Sequence, residues 1–211
     1  MAPENELPKT RLSLTVEAEA IEDFCLLTGG GFNIRVRTGE SVRQVLCGQL
    51  GIEPSYFDDR IATIFLDSSA VDDPDKAIVT AGSTVALSAA MPGVAGAMLR
   101  SGGHYSPMRS AISHDGSSQE GGIAASVQPE ETEITLKLFN MLQRELGPGF
   151  LSRGFGLPGR AFADLLSRRG RKFRSAVRSV EVDGKKVDVG ELFDVDWSAR
   201  RIDLRVAGAE K

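Results

Sequence analysis

The sequence is short of the side chains most chemistry needs. Its 211 residues hold two cysteines, Cys25 and Cys47, and two histidines, His104 and His114. Two cysteines cannot build an all-cysteine zinc site, and a mixed site would use every Cys and His at the wrong spacing. A Cys–His nucleophile is also poorly provided for, because both histidines fall in or beside a Gly/Ser-rich stretch. No Gly-x-Ser-x-Gly elbow occurs, and Gly29-Gly30-Gly31 lacks the lysine of a phosphate-binding loop. No apolar run reaches the roughly 18 residues a membrane helix needs. The first residues, MAPENELPKTR, are polar and lack an apolar signal core. The composition therefore predicts a cytoplasmic chain that is not an enzyme, with no metal, no cofactor and no membrane partner.

What is present is ordinary globular composition with uneven charge. Hydrophobic residues make up 41%, enough for packed cores rather than disorder. Residues 1–103 carry 8 basic and 14 acidic side chains, a net of −6. Residues 132–211 carry 16 and 11, a net of +5. The acidic part repels phosphates. The basic part could attract an acidic protein, a nucleic acid, or the acidic half of its own chain.

Residues 101–131 are rich in Gly and Ser, with no apolar period, and cannot offset their ordering entropy by burial. They predict a flexible linker over 104–131, between units at 10–103 and 132–208. Each unit is small, so each core should be modest.

The first unit opens with a strand over 12–17, in which Leu12, Leu14 and Val16 alternate with polar residues. The glycines 29–31 read as a turn into a second strand over 33–37. Val42, Val45, Leu46 and Leu50 then recur at helical spacing, with Thr38 or Ser41 as N-cap and Gly51 at the C-terminal stop. A buried strand over 61–66, a short one at 77–79 and a last one over 84–90 complete it. The second unit repeats the order: a strand over 133–139, a turn at Gly147-Pro148-Gly149, and a weaker strand over 150–157. A helix begins after Pro158, a hairpin turns at Asp183-Gly184, and a final strand spans 201–208.

The segments Val71-Asp72-Asp73-Pro74, Thr80-Ala81-Gly82-Ser83-Thr84-Val85-Ala86-Leu87 and Pro92-Gly93-Val94-Ala95-Gly96 carry a resemblance. With the element order, they resemble the sulfur-carrier branch of the ubiquitin-like β-grasp, the small subunit of molybdopterin synthase and the thiamine sulfur carrier. The resemblance covers residues 10–103 and implies an α+β fold of two tandem β-grasp domains. In that family a free C-terminal diglycine is adenylated by an activating enzyme and converted to a thiocarboxylate. Here Gly96 is followed by Ala97. A second pair, Gly102-Gly103 after Leu99-Arg100-Ser101, is also internal, and an amide carbonyl cannot be adenylated as a carboxylate can. The resemblance thus implies a partner-binding tail rather than a working carrier. Its residues are Pro92, Gly93, Val94, Ala95, Gly96, Leu99, Arg100, Gly102 and Gly103. The implied partner is a protein, of the activating-enzyme or synthase kind.

A second expectation rests on six cations in eleven residues: Arg168, Arg169, Arg171, Lys172, Arg174 and Arg178, with Phe173 among them. Such a run can grip phosphates. With the following Val180-Glu181-Val182-Asp183-Gly184-Lys185-Lys186, it is somewhat similar to the alpha-L RNA-binding module. That module pairs a helix and a basic helix with a hairpin. RNA is therefore the alternative partner. The plainer reading is an exposed basic helix end and loop, where cations suit the helix C-terminus.

Overall fold

The computed structural model describes residues 7–89, 113–114 and 130–209. The chain is α+β. Strand β1 is Lys9–Val16, its alternation matching its burial. The next segment folds into short helices, α1 at Ile21–Cys25 and α2 at Leu27–Gly30. Strand β2, Phe32–Arg37, follows. A π-helix, Gln44–Gln49, and helix α3, Pro54–Arg60, lead to β3 at Thr63–Leu66, β4 at Ser69–Val71 and β5 at Thr84–Ser88. Two residues, Ser113–His114, form β6, and β7 spans Glu131–Phe139. Helix α4, Met141–Arg153, precedes β8 at Phe155–Pro158. Helix α5, Gly159–Ala176, runs into the hairpin of β9, Val177–Val182, and β10, Lys185–Val187. Helix α6, Glu191–Asp194, and strand β11, Arg201–Gly208, end the chain.

Two expected turns are helices instead. The connection before β2 is α1 and α2, because Phe24, Cys25 and Leu27 need a buried face that a hairpin loop lacks. The Gly147-Pro148-Gly149 turn lies inside α4, so the strand expected over 150–157 shrinks to β8. Pro148 removes one helical N–H. Burial of Leu142, Phe150 and Leu151 offsets that loss. Gly147 lets α4 close on Cys25: a Cβ there would lie 2.8 Å from its Sγ. The short strand expected at 77–79 is a single bridge, Ser41 to Ile78, and β3 pairs instead with β4 in an antiparallel hairpin. Its turn, Asp67-Ser68, holds positive φ at both residues, which short polar side chains tolerate.

The expected helix over 42–50 is present as Val42 and Arg43 followed by the π-helix, with Val42, Val45, Leu46 and Leu50 buried. Its start is reciprocally capped. Ser41 Oγ accepts the Gln44 N–H at 3.2 Å, and Gln44 Oε1 accepts the Ser41 N–H at 2.9 Å. Gly51, at φ 70°, stops it. Gln49 accepts the Arg37 N–H at 2.7 Å and donates to the Arg37 carbonyl at 3.0 Å. The side chain thus takes the place of a neighbouring strand at the end of β2.

The chain forms two compact units that do not follow its halves. One comprises Met1–Asn33 with Gln143–Lys211, the other Ile34–Leu142. In the first, strands lie in the order β10-β9-β1-β11-β8. At its centre β1 runs parallel to β11 over eight residue pairs, from Lys9–Arg201 to Val16–Gly208. In the second, the order is β2-β7-β5-β3-β4-β6. There β7 runs parallel to β5, from Thr84–Thr135 to Ser88–Phe139. Each unit thus takes an interior strand from the other half of the chain. The physical reason is that alternation fixes which face of a strand is buried but not which strand lies beside it. Leu12-x-Leu14-x-Val16 and Ile134-x-Leu136-x-Leu138 present the same apolar period.

The cores differ in kind. The first unit concentrates rings: Phe24 on Phe173 at 4.5 Å, Phe32 on Phe150 and Phe155 at 5.2 and 4.5 Å, and Phe162 edge-on to Trp197 at 5.6 Å. The second is mainly aliphatic, built from Ile34, Val36, Val45, Leu46, Ile64, Val85, Leu87, Leu136 and Leu138.

Candidate interaction surfaces

The basic cluster sits on α5 and the start of β9. Helix α5 breaks at Gly170, which takes φ 46° and ψ −127°. The result is a helix, a kink, a short second helix and then the β9–β10 hairpin. Asp183 and Gly184 close that hairpin with φ of 50° and 81°, the two-residue turn expected from the sequence.

The cations are not all free to meet phosphate. Arg169 pairs with Asp23 at 3.0 Å, and Arg178 pairs with Glu17. The Arg174 guanidinium lies over the Phe193 ring at 5.5 Å. Arg144, on α4, faces Glu22 at 3.9 Å. These acids come from the N-terminal segment of the same unit, so part of the excess positive charge meets acid from the first half of the chain. Exposed pairs of this kind contribute up to about 1 kcal/mol each. Arg168 remains exposed beside a groove of about 420 Å³ floored by Leu26, Leu27 and Leu165. Arg171 and Lys172 lie in the second part of α5.

In the other unit, the turns at Asp73 and Gly82 are held by side chains. Asp67 accepts the Thr84 N–H at 2.7 Å and the Ser83 hydroxyl at 3.0 Å. Gly82 takes φ 75°, as a Gly-containing turn requires. Asp73 pairs with Lys76 at 2.9 Å, and this hydrogen-bonded ammonium holds its carboxyl below the usual range. Arg43 bridges Asp58 at 2.8 Å and Asp75 at 3.1 Å over the Phe57 ring. Asp58, on α3, thus serves an ion pair, and Asp73 serves an ion pair and accepts the Asp75 N–H at 3.1 Å. Strand β5 ends at Ser88, whose Oγ accepts from Asn140 Nδ2 at 2.9 Å. The tail residues Pro92, Gly93, Val94, Ala95, Gly96, Leu99, Arg100, Gly102 and Gly103 lie outside the described residues, as does most of the expected linker.

Neither cysteine is poised for nucleophilic work. Burial, with Glu22 nearby, pushes the Cys25 thiol up to about 11. Desolvation raises Cys47 as well. Both are free thiols, Cys25 buried and Cys47 half-buried. Raising the thiol pKa depletes thiolate at neutral pH. At pH 8, iodoacetamide is expected to modify Cys47 slowly and Cys25 only after unfolding, read by peptide mass spectrometry. Rapid labelling of Cys25 in the native protein would contradict its burial.

Among the described residues no group of three or more His, Cys, Asp or Glu side chains converges on a metal-sized site. No helix among them is long and apolar enough to cross a membrane. Sequence reasoning missed α3 and β4. The signals were there: Glu53 before Pro54 is an N-cap, its carboxylate accepting the Tyr56 N–H at 3.0 Å, and Asp67-Ser68 is a polar two-residue turn. No protein-family model, curated protein or solved structure matches the chain.

Proposed function

We propose that this chain is a non-enzymatic protein-interaction module on a ubiquitin-like β-grasp scaffold, with residues 92–103 as its partner-facing segment. The observation that carries the reading is the position of β5. It lies inside the sheet of its unit, parallel to β7 and antiparallel to β3, and ends at Ser88, four residues before Pro92. A β-grasp sets a first and a last strand side by side and parallel at mid-sheet, and the tail continues from the last one. In the Ile34–Leu142 unit β7 serves as that first strand. The other unit fits less closely, because β9 lies beside β1 rather than beside β11. Two tandem β-grasp domains, each with a borrowed first strand, is the arrangement this reading requires. The internal position of Gly96 and of the Gly102-Gly103 pair favours holding a protein over carrying sulfur, and the partner is of the activating-enzyme or synthase kind. Two free thiols suit a reducing cytoplasm.

RNA binding is the second reading. It is favoured by the helix, Gly170 kink, helix and hairpin order, and opposed by the ion pairs of Arg169 and Arg178. One experiment separates the two. Binding of labelled single-stranded RNA to the full chain is followed across salt, alongside affinity capture of partners. The protein reading expects capture to be lost in the double variant Val94→Asp, Leu99→Asp and to survive ribonuclease. The RNA reading expects a steep salt slope, about −0.7 per phosphate contact, that flattens in the double variant Arg168→Glu, Arg174→Glu.

A further inference from the structure

Each unit is assembled from both halves of the sequence. A cut within Gly116-Ser117-Ser118-Gln119-Glu120-Gly121-Gly122 would leave β1 to β6 on one fragment and β7 to β11 on the other. In the unit of Met1–Asn33 with Gln143–Lys211, β1 belongs to the first half. It lies between β9 and β11, both from the second half. Backbone bonds extend the join past the strand pairs. The Glu17 N–H donates to the Ala176 carbonyl at 2.8 Å, the Asp183 N–H to the Arg11 carbonyl at 2.8 Å, and the Ala209 N–H to the Val16 carbonyl at 2.7 Å. In the Ile34–Leu142 unit the roles reverse. There β7 comes from the second half and lies between β2 and β5 of the first. Before its start the Glu130 carbonyl accepts the Thr38 N–H at 3.0 Å, and past its end Asn140 donates to Ser88 Oγ at 2.9 Å.

Neither half covers its own apolar surface in this fold. On the first half, Leu12, Leu14 and Val16 of β1 are buried, as are Phe24, Cys25, Leu27 and Phe32 after it. The cover for this segment comes from the second half: Phe173 against Phe24, Gly147 against Cys25, and Phe150 and Phe155 against Phe32. Were β1 to stand in for β7 beside β5, that segment would still lack Phe150, Phe155 and Phe173. On the second half, Ile134, Leu136 and Leu138 are buried in the unit that the first half builds. Apolar surface left open on this scale cannot offset the entropy of ordering either half.

Charge points the same way. Residues 1–103 carry a net of −6 and residues 132–211 a net of +5. Glu17, Glu22 and Asp23 of the first half meet Arg178, Arg144 and Arg169 of the second. Opposite fields favour the encounter of two such chains.

We propose that the two halves are obligate partners: a chain severed within residues 116–122 stays one folded noncovalent complex, and neither half folds alone. The partner of each half is the other. An acidic fragment supplies β1 and lacks a strand beside β5, and a basic fragment supplies β7 and lacks one beside β11. Each completes a sheet of the other by supplying the missing strand. This pairing is independent of the tail segment proposed above.

The test replaces residues 116–122 of the full chain with the recognition sequence of a site-specific protease, and cuts it there. The fragments should co-elute in size exclusion and keep the far-UV circular dichroism of the uncut chain. Separated in urea and refolded apart, each should lose that spectrum and melt without a cooperative transition. Mixed, they should regain both. With the first half isotope-labelled, filtered NOEs should connect Leu14 to Val206 and Val85 to Leu136, neighbours across the cut. Fragments that part once cut, a half that melts cooperatively by itself, or a complex lacking either contact would each overturn the proposal.

Discussion

Replacing Trp197 by Ala should cost about 4 kcal/mol, in the range for removing a buried aromatic. Trp197 is 2% exposed, stands edge-on to Phe162, and lies under the Arg200 guanidinium at 6.0 Å. Its indole N–H donates to the Leu192 carbonyl at 2.7 Å. The substitution therefore opens a cavity and leaves a buried acceptor unmatched. The melting temperature should fall by about 10 °C. Far-UV circular dichroism is the readout, because the only Trp is lost. Trp197→Phe keeps most of the ring and forfeits the hydrogen bond, so its cost should be about 1–2 kcal/mol. A loss below about 1 kcal/mol for the Ala variant would mean that the ring is not the packing centre of its unit.

Gly159→Ala should be nearly as damaging, for a different reason. Gly159 opens α5 and donates its N–H to the Arg200 carbonyl at 2.9 Å. An added Cβ would overlap the Trp197 carbonyl oxygen and come within 2.7 Å of that of Arg200. Both obstacles are backbone, which cannot rotate away as a side chain can. A cost of about 3 kcal/mol follows from overpacking of this kind. Gly149→Ala is the control: it lies inside α4 with nothing within 4 Å of a new Cβ. Removing a helical glycine there should be neutral or stabilise by up to about 1 kcal/mol. Urea unfolding followed by Trp197 fluorescence reports Gly159→Ala directly, because the indole sits against the altered contact. Equal effects at the two glycines would mean that the close approach of α5 to the turn before β11 is wrong.

Much of the fold was legible because its signals are local. Alternation located β1, β7 and β11, and the Asp183-Gly184 dipeptide located the β9–β10 turn. The 3.6-residue spacing of Val42, Val45, Leu46 and Leu50 located the buried face of the first helical segment, although not its π-helical hydrogen bonding. The failures were of two kinds. Gly147-Pro148-Gly149 has the composition of a turn, and only the burial of Phe150 and Leu151 with the close approach to Cys25 keeps it helical. Strand partnership was not legible at all. Nothing in Leu12-x-Leu14-x-Val16 says whether it should lie beside β5 or β11, and the chain places it beside β11.

The same exchange explains how the charge asymmetry resolves. With β1 the N-terminal segment brings Glu17, Glu22 and Asp23 into the unit that holds the basic second half. Arg178, Arg144 and Arg169 meet them there. Net charge by halves of the sequence overstated the cationic surface, because it assumed that each half folds on itself.

The most direct test is the native mass spectrum of the chain, isolated from its own cells under conditions that keep complexes whole. The account predicts a chain uncleaved at Gly96 and Gly103 and bound to a discrete protein, and loss of that protein when Val94 and Leu99 are replaced by Asp. A chain ending at Gly103 or Gly96, with sulfur in place of oxygen at its terminal carboxylate, would contradict it and make the protein a processed sulfur carrier. A complex that survives both substitutions unchanged would contradict it as well, and would move the binding surface away from residues 92–103.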